Sequence, residues 1–484
     1  MKINMCISRS LQSNSKKIAL ILFLLNLVGC ISPQQGPDLS VLYNKSARYH
    51  NPDRNPIIVI PGILGSRLSY TPKGSVAWGA FESGAADPSD PDGARIIALP
   101  IGKQNKLSEM LDDVEPTGVL EKLRLTLGGI SLNIQAYAGI LNTLGAGGYR
   151  DESLGMAGEV DYGDNHFTCF QFAYDWRRDN IENARLLHDF IQKKRDYVRQ
   201  QYKQRFSIDK KDIKFDIAAH SMGGLITRYF LMYGAQDLPD DGSLPELNWS
   251  GAKLVERVIL VGTPNSGSAS TFLNLIQGEQ LAPLLPYYPP ALLGTFPSVY
   301  QLLPRPRHKA VVWDGDNQQP IDFFDAEVWE RMGWGLLSPK QQPVLKILMP
   351  EISDESERIK QAQHYLHLVL ARAKHFQQAL DRPAITPKGL SLFLVAGDAT
   401  DTIRTISINS TDGSQEILAT GFGDETVLRA STLADERMTG DWKPQVQSPI
   451  DFRTIFFLPY NHLELTQNKI FRDNVLFWLL DDQR

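Results

Sequence analysis

Apolar residues in this chain gather into short runs, with segments of helical spacing between them. Pro56-Ile57-Ile58-Val59-Ile60 is wholly apolar and stops at Pro61-Gly62, the pattern of a strand buried on both faces. Further strands are predicted over Phe167 to Ala173, Phe215 to Ala218, Val255 to Val261, Ser391 to Ala396 and Thr454 to Leu458. Asn183 to Arg205 combines helical spacing with good helix formers. A second helical pattern runs from Val344 through Tyr365, Leu368 and Phe376, and Phe471 to Leu480 reads as a closing amphipathic helix. Strands alternating with helices predict an α/β architecture, a mostly parallel sheet covered on both faces. Two stretches break the rhythm. Residues 70–105 are rich in Gly, Pro, Asp and Ser, with Trp78 and Phe81 embedded, and read as a lid loop. Residues 269–388, dense in Pro, Leu and Tyr from Leu281 to Pro306, read as an inserted cap. The core is then expected in two parts, 54–268 and 389–484.

The sharpest local signal lies where one strand meets one helix. Ala219-His220-Ser221-Met222-Gly223 follows Phe215 to Ala218 and precedes Gly224-Leu225-Ile226-Thr227. A serine on a tight turn between strand and helix is the nucleophile elbow of an α/β-hydrolase. Such a turn strains the serine backbone and brings strand and helix close, so small neighbours are needed. Gly223 and Gly224 supply them, and Ala219 stands where the general pattern has glycine. The elbow predicts an oxyanion hole made by the backbone N–H of Met222, after the nucleophile, and of Ile63, in the loop after the first strand.

A serine nucleophile needs a base, and the base needs a carboxylate, in the chain order Ser, acid, His. Among the nine histidines only His462 follows the late strands. His220 adjoins the nucleophile and is expected to point away from it. The acid has three candidates: Asp398 and Asp401 after the strand ending at Ala396, and Asp424 in Gly423-Asp424-Glu425-Thr426-Val427. Position alone favours Asp398.

Pro61-Gly62-Ile63-Leu64-Gly65-Ser66, Tyr174-Asp175-Trp176-Arg177, the serine elbow, Gly423-Asp424-Glu425-Thr426-Val427 and His462-Leu463 occur in the order seen in the lecithin:cholesterol acyltransferase family. That family includes lysosomal phospholipase A and phospholipid:diacylglycerol acyltransferases. The resemblance spans about residues 56–468 and assigns the acid to Asp424. It implies acyl-ester chemistry on lipids, with a glycerophospholipid or acylglycerol as donor and water or an alcohol as acceptor. Two features depart from the family. Animal members staple the lid with a disulfide, and this chain has no cysteine near residues 70–105. The segment 269–388 has no recognised counterpart. The rival expectations are a carboxylesterase or amidase for a non-lipid substrate, and an inactive hydrolase-fold envelope protein.

The N-terminus bears on location. Lys16-Lys17 precede the apolar run Ile18 to Leu25, too short for a comfortable membrane span, so residues 1–30 read as a signal peptide. Leu27-Val28-Gly29-Cys30 resembles a bacterial lipobox, which makes Cys30 the expected lipidation site and the membrane surface a partner. Ile31, rather than aspartate, follows Cys30, and favours the outer membrane in a Gram-negative host. Residues 31–53 are polar and Pro-rich, and read as a tether.

Composition narrows the remainder. The chain has three cysteines, and with Cys6 in the leader and Cys30 lipidated, Cys169 is left without a disulfide partner. The net charge of −5 and the lack of a basic block give nucleic-acid binding no support. No zinc-type cysteine pairs occur, and serine acyl transfer calls for no cofactor or metal.

Overall fold

The computed structural model describes residues 46–481, except 49, 82–83, 128–129, 136, 156–161, 240, 282–284, 316–317 and 440–443, and leaves the side chains of 122–135 and 438–439 undescribed. Every described residue lies in one compact unit, Leu42–Arg484. The leader, Cys30 and most of the tether lie outside the described residues. No described helix is long and apolar enough to cross a membrane.

A six-stranded sheet organises the unit. Its strands are β1 (Ile57–Ile60), β2 (Cys169–Gln171), β3 (Phe215–His220), β4 (Val255–Val261), β5 (Ser391–Gly397) and β6 (Thr454–Leu458), in the order β6-β5-β4-β3-β1-β2. All five pairings are parallel. Parallel sheets need crossovers and cover on both faces, which explains why the strands read as nearly continuous apolar runs. Side-chain alternation divides those runs between two cores. Ile58, Ile60, Phe215, Ile217, Val258 and Leu260 join one apolar cluster, while Ile57, Val59, Ala218, Ile259 and Val261 join the other.

Helices close each face. On one side lie α1 (Ala138–Ala146) and α5 (Lys469–Leu480), which bring Ile140, Leu144, Phe471 and Trp478 to the smaller core. On the other lie α2 (Asn180–Phe206), α3 (Met222–Tyr233) and α4 (Glu355–Leu380). Asp179 starts α2 by accepting from the Ile181 N–H, and Asp354 starts α4 by accepting from the Glu357 N–H, which satisfy donors a helix start leaves open.

Both irregular stretches, 70–105 and 269–388, carry secondary structure and pack on the core. Within 70–105 the chain forms the strands Ser75–Trp78 and Ala80–Phe81 and the helix Pro91–Ile97. Trp78 is buried edge-on to Trp176, and its indole N–H donates to the Leu64 carbonyl at 2.8 Å. Gly/Pro-rich composition hid these elements because the strands are very short. Within 269–388, Phe272, Trp329 and Tyr365 belong to the same apolar cluster as the sheet. α4 packs on α3, with the Phe376 and Tyr229 rings stacked and the Tyr233 hydroxyl donating to the Ala379 carbonyl at 2.8 Å. This helix therefore serves as cover for the sheet.

Candidate active site

The site lies at the carboxyl ends of the parallel strands. β3 ends at His220, Ser221 makes the turn, and α3 begins at Met222. Ser221 sits at φ 53°, ψ −128°, a backbone conformation that costs a non-glycine residue energy and persists only where its surroundings fix it. They do so closely. The Ser221 N–H donates to the Val261 carbonyl at 2.8 Å. A Cβ on Gly62 would stand 2.6 Å from the Ser221 Cβ, and one on Gly224 would stand 2.0 Å from the Thr263 hydroxyl oxygen. The first of these glycines lets the β1 loop reach the serine, and the second lets α3 cross β4.

His462 follows β6 and turns its ring onto the serine, with Nε2 2.9 Å from Ser221 Oγ. Its Nδ1 lies 2.7 Å from Asp424 Oδ2. Asp424 is fully buried. Its other oxygen accepts from the Val427 N–H at 2.7 Å and the Thr426 N–H at 3.1 Å, so both carboxylate oxygens are engaged. The strands Thr400–Ile408 and Gln415–Gly423 form an antiparallel hairpin that delivers Asp424 to the end of β5. There Gly397 is required, because a Cβ on it would lie 2.4 Å from the Asp424 Cβ.

The other acid candidates are elsewhere engaged. Asp398 forms a two-oxygen ion pair with Arg429, at 2.7 and 3.0 Å. Asp401 is exposed on the hairpin. Of the three aspartates, the structure brings only Asp424 against His462.

Met222 follows the serine in the chain, and Ile63 follows Gly62, the residue whose backbone approaches Ser221. Met222 is the first residue of α3, where backbone N–H groups have no acceptor within the helix. Among the described residues nothing accepts from the Ile63 N–H. The neighbouring Gly62 N–H is already committed, donating to the Tyr137 hydroxyl at 2.7 Å.

His220 points away from the nucleophile, as the elbow turn predicts, yet it stays beside the base. Its ring leaves the serine but packs against His462, with centroids 4.7 Å apart, and its Nε2 lies 3.0 Å from the His462 carbonyl oxygen. Burial, reinforced by the proximity of His462, pushes its pKa down to about 3, so the ring is neutral. Its Nδ1 contacts the Tyr137 hydroxyl at 3.0 Å. Tyr137 had no local sequence signal. Its partners are remote in the chain.

Tyr174-Asp175-Trp176-Arg177 acts as scaffold. The Tyr174 hydroxyl donates to the Pro61 carbonyl at 2.8 Å, and the Trp176 indole donates to the Ser66 carbonyl at 3.3 Å, fixing both ends of the loop that carries Ile63. Arg177, buried, bridges Asp175 and Asp112 at 2.7 Å each and donates to the Ile97 carbonyl at 3.0 Å. Cys169 is a buried free thiol on β2, and burial pushes its pKa up, which keeps it unreactive.

A sequence model of the lecithin:cholesterol acyltransferase family matches residues 154–373. The matched stretch contains the elbow and Tyr174-Asp175-Trp176-Arg177, and stops short of Asp424 and His462. Its span also runs through most of 269–388. Among solved structures, the Tle4–Tli4 complex contains a chain 15% identical, with a TM-score of 0.52 over 88% of this chain and 98% of that one. EstA from Clostridium botulinum is 10% identical, with a TM-score of 0.31 over 89% of this chain and 88% of its own. Lipase 1 from Pelosinus fermentans is 10% identical, with a TM-score of 0.25 over 56% and 72%. The first of these shows a shared fold. No curated protein matches the chain.

Proposed function

We propose that this chain, which is similar to the lecithin:cholesterol acyltransferase family over residues 154–373 and has an α/β-hydrolase arrangement of strands and helices, is a membrane-anchored serine enzyme that transfers acyl groups from lipid esters, to water as an acyl hydrolase or to an alcohol as an O-acyltransferase. The observation that carries the reading is the continuous contact Ser221 Oγ–His462 Nε2 at 2.9 Å and His462 Nδ1–Asp424 Oδ2 at 2.7 Å.

The chemistry follows from that line of contacts. Ser221 Oγ attacks the ester carbonyl carbon as its proton passes to His462 Nε2. The carbonyl electron pair moves onto oxygen, where the Ile63 and Met222 N–H groups donate to it. The proton then passes from Nε2 to the leaving oxygen, the carbon–oxygen bond breaks, and a lysolipid or alcohol departs. Water or an alcohol enters, gives its proton to Nε2 and bonds to the acyl carbon; the carbon–Oγ bond then breaks and that proton passes from Nε2 to Ser221 Oγ. Asp424 accepts from Nδ1–H throughout, which fixes the tautomer and stabilises the imidazolium.

The family match supports lipid as substrate. The lipobox-like Leu27-Val28-Gly29-Cys30 supports lipidation at Cys30 and a place on the bacterial envelope, at the outer membrane in a Gram-negative host. Incubating the purified protein with phospholipid vesicles, with and without a long-chain alcohol, and reading the products by mass spectrometry tests the reaction. Free fatty acid alone marks a hydrolase. A new ester in the alcohol arm marks an acyltransferase. Intact phospholipid in both arms, beside ready cleavage of a short-chain aryl ester, would move the substrate away from lipid.

A further inference from the structure

We propose that Tyr137 and His220 are positioning residues, a relay that holds the oxyanion loop and the base loop in one register; the role rests on the serine acyl-transfer reading above. Three hydrogen bonds join parts of the chain far apart in sequence. The Gly62 N–H donates to the Tyr137 hydroxyl oxygen at 2.7 Å, the Tyr137 hydroxyl meets His220 Nδ1 at 3.0 Å, and His220 Nε2 meets the His462 carbonyl at 3.0 Å.

Each bond in the relay has one direction. A carbonyl oxygen only accepts, so His220 Nε2 carries the proton and Nδ1 is a bare acceptor. The Tyr137 hydroxyl must then donate to Nδ1, which leaves its own lone pair for the Gly62 N–H. Both side chains are 3% exposed, so water is a poor substitute for a lost partner. Burial raises the Tyr137 hydroxyl above its ordinary range and lowers His220, which keeps the first a donor and the second neutral. A neutral His220 places no second positive charge beside His462 when it takes the serine proton.

Packing makes the relay stiff. A Cβ on Gly65 would stand 2.7 Å from the Tyr137 ring, and one on Gly62 would stand 2.6 Å from the Ser221 Cβ, so the oxyanion loop is seated on the tyrosine and the nucleophile together. At the other end His220 bonds the backbone of the residue whose side chain is the base. A displacement of Tyr137 is therefore felt at both the Ile63 N–H and His462 Nε2, the two groups whose distance from the reacting carbon must be held closely.

The test uses the full-length wild type, Tyr137→Phe, His220→Gln and the double variant, with a short-chain aryl ester and a fluorophosphonate probe. Each single variant is expected to lower kcat and the labelling rate by about tenfold to a hundredfold, with KM little changed. The double variant is expected to lose about as much as the worse single one, since the two residues act as one unit. Nitrogen-15 NMR of the His220 ring gives a readout independent of activity: a protonated Nε2 and a bare Nδ1. Should Tyr137→Phe fold poorly, His220→Gln and the NMR spectrum still decide. Wild-type kcat in the folded single variants, fully multiplicative losses in the double, or a proton on Nδ1 of His220 would overturn the relay. A wild-type chain that neither labels nor turns over, yet shows the Nε2–H tautomer, would count against the serine reading and support the relay as a link between the loops.

Discussion

Asp424 and His462 are tied at two points: Oδ2 meets the imidazole Nδ1 at 2.7 Å, and the Asp424 carbonyl accepts the His462 backbone N–H at 2.9 Å. Acid and base therefore move as one unit, although they arrive on different connections of the sheet. Asp424→Asn should keep that backbone bond and the fold while disturbing the tautomer. The acylation rate is expected to fall by roughly 10⁴-fold with little change in stability. Asp398→Asn removes an ion pair with Arg429 and should cost far less activity. Stopped-flow acylation of both variants, beside their denaturant midpoints, makes the comparison.

Gly397→Ala puts a methyl where only 2.4 Å separates it from the Asp424 Cβ. The acid hairpin or the end of β5 must shift. We expect activity to fall at least tenfold and stability by about 1–3 kcal/mol, as for overpacking in a tight core. Gly413→Ala, in the hairpin turn at φ +70° and against the Trp334 indole, carries backbone strain without touching the triad, and should lower the melting temperature with kcat unchanged.

Stability should depend on acid through His220. Its folded pKa is about 3 against an ordinary value of 6.5. Above about pH 6.5 both folded and unfolded forms are neutral there. Below it the unfolded chain binds a proton that the folded chain refuses, so stability falls as the pH drops toward 3, by up to about 1.4 kcal/mol per pH unit for this group. Urea melts at about pH 7 and pH 5 should show a smaller acid loss in His220→Gln than in the wild type.

How far the sequence revealed this molecule depended on where the information resides. β1, β4 and β5 were legible because strands buried on both faces must be apolar throughout, β6 because its run stays apolar although this edge strand leaves Ile455 and Phe457 exposed, and the elbow because strain and close packing demand small residues in consecutive positions. The hairpin bearing Asp424 was not legible. Its strands alternate Thr, Arg, Ser and Gln with apolar residues, and one edge faces solvent, so no run stands out. The acid was placed by family resemblance, where position alone favoured Asp398. Tyr137 was beyond reach, since its role is defined only by Gly62 and His220, 75 and 83 residues away.

Arg177→Met should be among the most damaging changes outside the triad. It leaves the Asp175 and Asp112 carboxylates without their shared cation and frees the Ile97 carbonyl. Breaking a buried pair in this way costs about 3–5 kcal/mol. Thermal melts should show the loss, and limited proteolysis should cut first between residues 97 and 112, the segment that Arg177 holds.

Cys30→Ser tests the anchor. The wild type should fractionate with membranes and carry a lipid-modified N-terminus. The variant should be unlipidated and released. An unmodified wild-type N-terminus downstream of Ile31 would remove the anchor from the account.

The central claim is that His462 and Asp424 make Ser221 the nucleophile. The most direct measurement is fluorophosphonate labelling of the folded wild type followed by peptide mass spectrometry. The account predicts one adduct, on Ser221, lost in Ser221→Ala and strongly slowed in His462→Ala. A folded protein labelled at another residue, or Ser221 labelled equally fast without His462, would contradict it.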